Sequence, residues 1–264
     1  MSGSQSPWRY RNLAGDLGKT WMHPFGHLPL HITDQIISDD SPYLGTAGLV
    51  SYFNHFHEWT GPVAEGTAGG WTLTGTTGTA TIVHSDTKVG AIVLTTDNTG
   101  SATFALQRGN GTTGMNMAYT VGKRMWFFIR FKLLTVASME LFMGLGTADT
   151  SPSTTGTFPS DGIFFEKAAS ATVLDFHARK DGTSTEKTST SGTLVDDTYT
   201  VIGFHVDELG NIMPFKDGVA LTAGYIAAGT ANIPAATDVM QLNLAFIGQA
   251  MTMTVDWLLC AQEL

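Results

Sequence analysis

The stretch KRMWFFIRFKLLTVASMELFMGLG, residues 123–146, decides the fold. In its first half Met125, Phe127, Ile129, Phe131 and Leu133 alternate with Trp126, Phe128, Arg130 and Lys132, the period-2 pattern of a β-strand. The second half repeats it, with Met139, Leu141, Met143 and Leu145 on one face and Glu140 and Phe142 on the other. Thr135 to Ser138 predict a short turn, which would make the two strands antiparallel neighbours sharing one dry face. Each large side chain there is worth roughly 1.5–3 kcal/mol on burial. Trp126, Phe128 and Phe142 make the second face too apolar to meet only water, so a cover is expected.

Working outward, the same alternation recurs in short runs bounded by turn residues. Before the central pair, strands are predicted at Trp71 and Leu73, at Thr79 to His84, at Ala91 to Thr95 and at Ser101 to Gln107, with Ala102, Phe104 and Leu106 inward. Asp97, Asn98 and Gly100 predict a hairpin between the last two. After the pair come a long polar loop at 147–160, then DGIFFEK with Ile163 and Phe165 inward, and Val173 to Lys180 with Leu174, Phe176 and Ala178 inward. Asp181-Gly182 predicts a turn into an all-polar edge strand. A meander follows through YTVIGFHV, GNIMPFK and Val219 to Leu221, with Pro214 expected where no ladder donor is needed. Met240 to Phe246 and Met253, Val255, Trp257 and Leu259 predict two last inward-alternating strands. Many strands and no convincing helix define an all-β, two-sheet antiparallel sandwich over residues 61–264.

Residues 1–60 read differently, as an extended N-terminal arm. They lack a strand or helix period yet carry Trp8, Tyr10, Trp21, Phe25 and Tyr43, a density of aromatics that disordered tails lack. Such an arm is ordered by lying on something, either its own sheet or a neighbouring subunit. His23, His27 and His31 fall four apart, but Pro24 and Pro29 oppose the helix that would stack them for a metal. His55, His57 and Glu58 fit a half-buried strand better than a zinc site.

Composition narrows the function classes. Charged residues are 14% of the chain and the formal net charge is -9, which argues against a phosphate-binding surface and hence against nucleic acid as a partner. No run of 18 apolar residues predicts a membrane span, and Met1 to Tyr10 lack the apolar core of a signal peptide. Cys260 is the single cysteine, so no intrachain disulfide can form, and its apolar setting predicts an inert buried thiol. Asp97 with Asn98, and Asp196 with Asp197, are too few oxygens for a calcium cage, and no cofactor or required metal is expected.

From Gly70 onward the order WTLTGTTGTATIV, GAIVLTT, the aromatic strand, MELFMGLGTADT, DGIFFEK, LDFHARKDGTST, LVDDTYTVIGF, MPFKDGV and VDWLLCAQ resembles tailed-bacteriophage virion proteins built on a concanavalin A-like or laminin-G-like jelly roll. The resemblance implies a capsid decoration (cement) or minor head protein, made in the host cytoplasm and carried on the capsid exterior. It also implies a homo-oligomer, a trimer by analogy, bound to the major capsid protein and not an enzyme. Interface anchors would then be Trp8, Tyr10, Trp21, Phe25, Tyr43, Trp126 and Phe142. The competing class is carbohydrate chemistry, since fold alone does not decide function. A glycan-binding fibre or spike module would use a groove of Trp126, Glu140, Glu166, Asp175 and His177, which share outward strand parity. Retaining hydrolysis would need two of those carboxyls about 5–5.5 Å apart. The acidic run Glu-x-Asp-x-x-Glu usual for hydrolases of this fold is absent, because Leu141 and Phe142 follow Glu140.

Overall fold

A computed structural model describes residues 49–54, 56, 59–75, 78–85, 90–98, 102–108, 117–148, 159–187 and 192–263. They form sixteen strands: β1 (Leu49–Asn54), β2 (Gly66–Ala68), β3 (Trp71–Thr74), β4 (Ala80–Ser85), β5 (Ala91–Thr96), β6 (Thr103–Arg108), β7 (Met125–Leu133), β8 (Glu140–Thr147), β9 (Gly162–Lys167), β10 (Asp175–Lys180), β11 (Thr183–Lys187), β12 (Thr200–Val206), β13 (Ile212–Lys216), β14 (Val219–Ala220), β15 (Met240–Ile247) and β16 (Thr252–Glu263). All lie in two antiparallel sheets packed face to face. Sheet A runs β14-β13-β12-β7-β16-β5-β4, with β1 also on β16, and sheet B runs β11-β10-β9-β8-β15-β6-β3-β2.

The inward residues read from the alternation form the core. Phe127, Ile129, Phe131 and Leu133 from sheet A meet Leu141, Met143, Leu145, Ile163, Phe165, Leu242, Leu244 and Phe246 from sheet B. Sheet membership differs from the sequence reading in two places. The segment between β7 and β8 does not close a hairpin but crosses from sheet A to sheet B, and so does the Asp97 segment between β5 and β6. Both crossings keep every predicted inward residue inward, because two strands on opposite walls share a core as well as two neighbours do. Facing sheets stand about 10 Å apart, a gap that a few residues span. Consequently Trp126 and Phe128 lie on the outer face of sheet A and Phe142 on the outer face of sheet B, rather than on one surface.

The third difference is at the C-terminal strand. Val255 pairs with Phe131 and Trp257 with Arg130, so Asp256 is the extra residue of a β-bulge. Before it Met253 and Val255 point into the core; after it Leu258 and Cys260 do, and Trp257, Leu259 and Ala261 turn outward. Trp257 and Leu259 are therefore not core residues of the shared interior, contrary to the unbroken alternation, because one inserted residue inverts all side chains beyond it. Asp256 in turn ion-pairs with Arg130 on the neighbouring strand.

Leu49–Asn54, assigned to the arm by sequence, is a strand of sheet A, paired in register from Leu49 opposite Glu263 to Asn54 opposite Leu258. Elsewhere the turn chemistry operates as read. Asp181 and Gly182 take positive φ (50° and 75°) between β10 and the edge strand β11, and Asp217 and Gly218 (49° and 82°) join β13 to β14. Pro214 sits opposite Phe204, on the side of β13 where β14 reaches only Phe215 and Lys216 in the ladder.

On the outer face of sheet A, Gly203 lies between Phe128 and Phe215 across three strands. A Cβ there would run into the Phe128 ring and the Phe127 carbonyl, so the absent side chain is what lets Phe128 lie toward Phe215, with ring centroids 6.0 Å apart. Gly203→Ala should lower the unfolding free energy by about 1–3 kcal/mol through overpacking. Chemical denaturation at unchanged m-value is the measurement, and an unaltered midpoint would contradict the packing described.

Candidate functional site

The candidate groove residues of sheet B come from the outward positions of β8, β9 and β10. In one row across the sheet His177 stands opposite Phe164, Phe164 opposite Gly144, Gly144 opposite Asn243, and Asn243 opposite Gln107. In the next row Asp175 stands opposite Glu166, Glu166 opposite Phe142, and Phe142 opposite Ala245. The period-2 geometry of two consecutive antiparallel strands, β9 and β10, therefore assembles Glu166, Asp175 and His177 as a cluster. Glu140 opens β8 on the same face, one row beyond Phe142.

Trp126 is not part of this groove. It belongs to β7 on the other sheet, where it stacks on His205 with centroids 5.4 Å apart and 17° between planes. The crossing between β7 and β8 is the physical reason: equal outward parity on strands of opposite sheets puts side chains on opposite sides of the molecule. The anchors Trp8, Tyr10, Trp21, Phe25 and Tyr43, the histidines His23, His27 and His31, and His55, His57 and Glu58 lie outside the described residues.

The cluster is buried and internally engaged. His177, 5% exposed, stacks on Phe164 at 5.1 Å and 10°, and Phe164 contacts Phe142 at 4.5 Å. His177 Nε2 lies 3.2 Å from Glu166 Oε2. Burial raises the carboxyl pKa of Glu140, opposed by the nearby Lys167 ammonium. Glu140 stands one row beyond the pair Phe142 and Glu166.

Three residues that the alternation alone left unmarked complete the face. Gln241 Nε2 donates to Gln107 Oε1 (2.6 Å), and Asn243 Nδ2 donates to the carbonyls of Gly146 (3.2 Å) and Gln241 (3.3 Å). Asn243 is fully buried, and among the described residues its Oδ1 has no hydrogen-bond partner. The signal for these amides was present, since Gln107, Gln241 and Asn243 are the polar outward residues of otherwise apolar strands. A Cβ on Gly146 would meet Pro159 at 2.9 Å, so Pro159 is seated on this face.

Among the described residues no group of three or more His, Cys, Asp or Glu is placed to hold a metal. The two acidic pairs considered for calcium serve loops instead. Asp97 Oδ2 accepts from the Thr79 amide (2.8 Å), Asp196 Oδ1 from the Val136 amide (2.6 Å), and Asp197 pairs with Lys132 (2.5 Å). Cys260 is buried, its thiol pKa pushed far up by burial, and it contacts Met117 sulfur at 3.3 Å, the environment of an inert thiol.

The architecture is that of a concanavalin A-like, lectin-type sandwich. Arcelin-5, a lectin-like defence protein from Phaseolus vulgaris, is similar over 81% of this chain and 98% of its own, with a TM-score of 0.51 and 10% identity. A protein of unknown function from Shewanella oneidensis MR-1 is similar over 82% of this chain and 87% of its own, with a TM-score of 0.50 and 13% identity. A carbohydrate esterase of the Shiga toxin-encoding bacteriophage phi24B matches 73% of this chain and 89% of its own at a TM-score of 0.41 and 16% identity. No protein-family model matches the chain, and no curated protein matches it in sequence. At such identities the first two likenesses establish the fold alone.

Lys167, at the end of β9, is fully buried and donates to the carbonyls of Met139 and Ala168, tying the crossing segment to sheet B. Burial lowers its pKa from 10.5 to about 8, against the opposing pull of Glu140. Between those values the Lys167 amine is protonated in the unfolded chain and neutral in the folded one, so its own contribution to stability rises with pH from about 8 to 10.5, opposed above pH 9 by Cys260, whose thiol burial keeps protonated. Measured as the difference from Lys167→Met, in which Cys260 is unchanged, the rise should approach roughly 3 kcal/mol. Urea titrations of both proteins at stepped pH would show it; parallel curves would refute the assignment.

Proposed function

We propose that this chain is a non-enzymatic structural protein of a tailed-bacteriophage virion, a decoration or cement protein that stabilises the capsid from outside. Its sandwich domains would bind the major capsid protein as a homo-oligomer, with a trimer the arrangement implied by the resemblance of residues 70–264. The observation that carries this reading is that both outer faces of the sandwich are closed aromatic layers: Trp126, Phe128, Phe215, Trp257 and Leu259 on sheet A, and Phe142 with Phe164 on sheet B. Among the residues whose burial is described no Trp or Phe is exposed, Trp59 being half-buried, and the exposed aromatics are Tyr199 and Tyr225. A carbohydrate held by ring stacking needs an accessible aromatic face, whereas a protein built into an assembly needs closed layers and rigid loops.

One observation favours a second reading, a glycan-binding module of a tail fibre or spike. The amides of Gln107, Gln241 and Asn243 adjoin Phe164 and His177, and Asn243 Oδ1 is a buried acceptor without a donor among the described residues. Amides beside an aromatic are suitable chemistry for sugar hydroxyls.

Light scattering on the purified protein, followed by co-sedimentation with undecorated phage heads, discriminates the two. A trimer that pellets with heads is the expected outcome. A monomer that stays in the supernatant and binds a glycan array would overturn the decoration reading in favour of the module.

A further inference from the structure

Three loops at one end of the sandwich carry large apolar side chains that the core does not use. Val121 precedes β7, Leu209 lies in the turn from β12 to β13, and Tyr225 lies beyond β14; they are 63%, 65% and 38% exposed. They are neighbours. A Cβ on Gly210 would come within 3.1 Å of Val121 Cγ2, so Val121 leans on the glycine that follows Leu209. The Tyr225 hydroxyl donates to Asn211 Oδ1 (2.8 Å), one residue further along the same turn. The loops are also fastened to one another. Asp207 Oδ1 accepts from the Leu209 and Asn211 amides, and Asn211 Oδ1 also accepts from the Ala228 amide (3.0 Å). The Gly122 amide donates to the Glu208 carbonyl (2.8 Å), and the Tyr119 hydroxyl donates to the Gly210 carbonyl (2.7 Å). The patch is therefore preformed, and docking on it orders little that is not already ordered.

We propose that a second copy of this chain docks here, turn to turn beside the symmetry axis of the homo-oligomer, with Leu209 at the centre of the contact. The charges around the patch point to a like partner. The chain carries a formal net charge of -9, so two copies repel across most of their surfaces. Around Leu209 the signs are nearly balanced, with Lys123 and Arg124 beside Asp207, Glu208 and Glu263. Asp207 is engaged by its own turn, and Arg124 pairs with Glu208 (3.3 Å) and Glu263 (3.7 Å). Lys123 makes no ion pair among the described residues, and the Glu208 side chain is 64% exposed. A contact repeated around an axis requires each patch to offer what the next one takes. Lys123 of each copy facing Glu208 of the next meets that condition. A basic partner, by contrast, would gain more from the acidic remainder of the chain than from this balanced rim. The contact supplies the surface for the homo-oligomer proposed above and rests on that part of the reading; it involves no capsid protein.

The test is light scattering across a concentration series, on the full chain and on variants whose urea midpoints match it. Leu209→Glu places a charge at the centre of the patch and should raise the concentration of half-association about tenfold or more. Val195→Glu adds the same charge to an apolar residue 57% exposed on the loop that enters β12 from its opposite end, and should leave association unchanged. Glu208→Lys should weaken association, and adding Lys123→Glu should restore it, because the facing charges are then reversed rather than lost. Should Leu209→Glu lower the urea midpoint, the charge reversal decides alone. An oligomer that Leu209→Glu leaves intact, or that Val195→Glu dissolves equally, would overturn the proposal while keeping the homo-oligomer, now joined elsewhere. A double variant no better than Glu208→Lys would overturn the facing of Lys123 on Glu208 and with it the symmetric contact. A wild-type chain that stays single at every concentration would overturn the contact and the homo-oligomer together.

Discussion

The bulge at Asp256 is the constraint on which the rest of this sandwich depends. β16 is the longest strand and sits in the middle of sheet A, with β7 along one side and β5 and then β1 along the other. Its N-terminal half gives Met253 and Val255 to the core, and its C-terminal half gives Leu258 and Cys260. Without the extra residue the second half would bury Trp257, Leu259 and Ala261 inside and turn Leu258 and Cys260 out. The ion pair from Asp256 to Arg130 holds the irregular residue on the outer side, half-shielded, against the strand that supplies its partner. One residue therefore fixes which apolar set belongs to the interior and which to the outer layer with Trp126 and Phe128.

That residue was also where the sequence became hard to read. Alternation identified the inward positions of β6, β7, β8, β9, β10 and β15 because each is a regular pleat with one face in a common core. It could not see the bulge, since TMTVDWLLCAQ is apolar on both parities beyond Asp256 and neither phase looks wrong. It also could not assign strands to sheets. The turns after Leu133 and Thr96 have the composition of hairpin turns, and parity is indifferent to whether the next strand is a neighbour or stands on the opposite wall. Sheet membership is set by long-range pairings such as Gln262 opposite Met125, more than a hundred residues apart, to which local pattern carries no pointer.

The candidate site was legible to the same extent and for the same reason. Glu166, Asp175 and His177 lie on two consecutive strands joined by a short loop, so their parity sufficed to bring them together. Trp126 shared that parity but not that sheet. The amides Gln107, Gln241 and Asn243 come from strands far apart in sequence, and only the pairing of β6 with β15 makes them one group. Their polarity on the outward side of apolar strands is a mark that physical reasoning can use, because a buried amide must find partners or be costly.

The two outer faces, taken together, reconcile the chemistry of the sandwich with its composition. A sandwich with solvated outer faces would alternate apolar with charged residues, and the charge content would follow. Here the outer rows are Ala261–Trp126–His205–Met213 on sheet A and Asp175–Glu166–Phe142–Ala245 with an amide cluster beside it on sheet B, so charge on these rows is confined to a few positions. The ion pairs concentrate on strand ends and loops, as in Arg124 with Glu208 and Lys132 with Asp197. A chain with only 14% charged residues is thus consistent with a sandwich whose walls are closed and whose solvent contact is made by its rims and turns. At those rims single apolar side chains such as Leu209 and Val121 stand exposed on turns tied together by the hydrogen bond from the Gly122 amide to the Glu208 carbonyl.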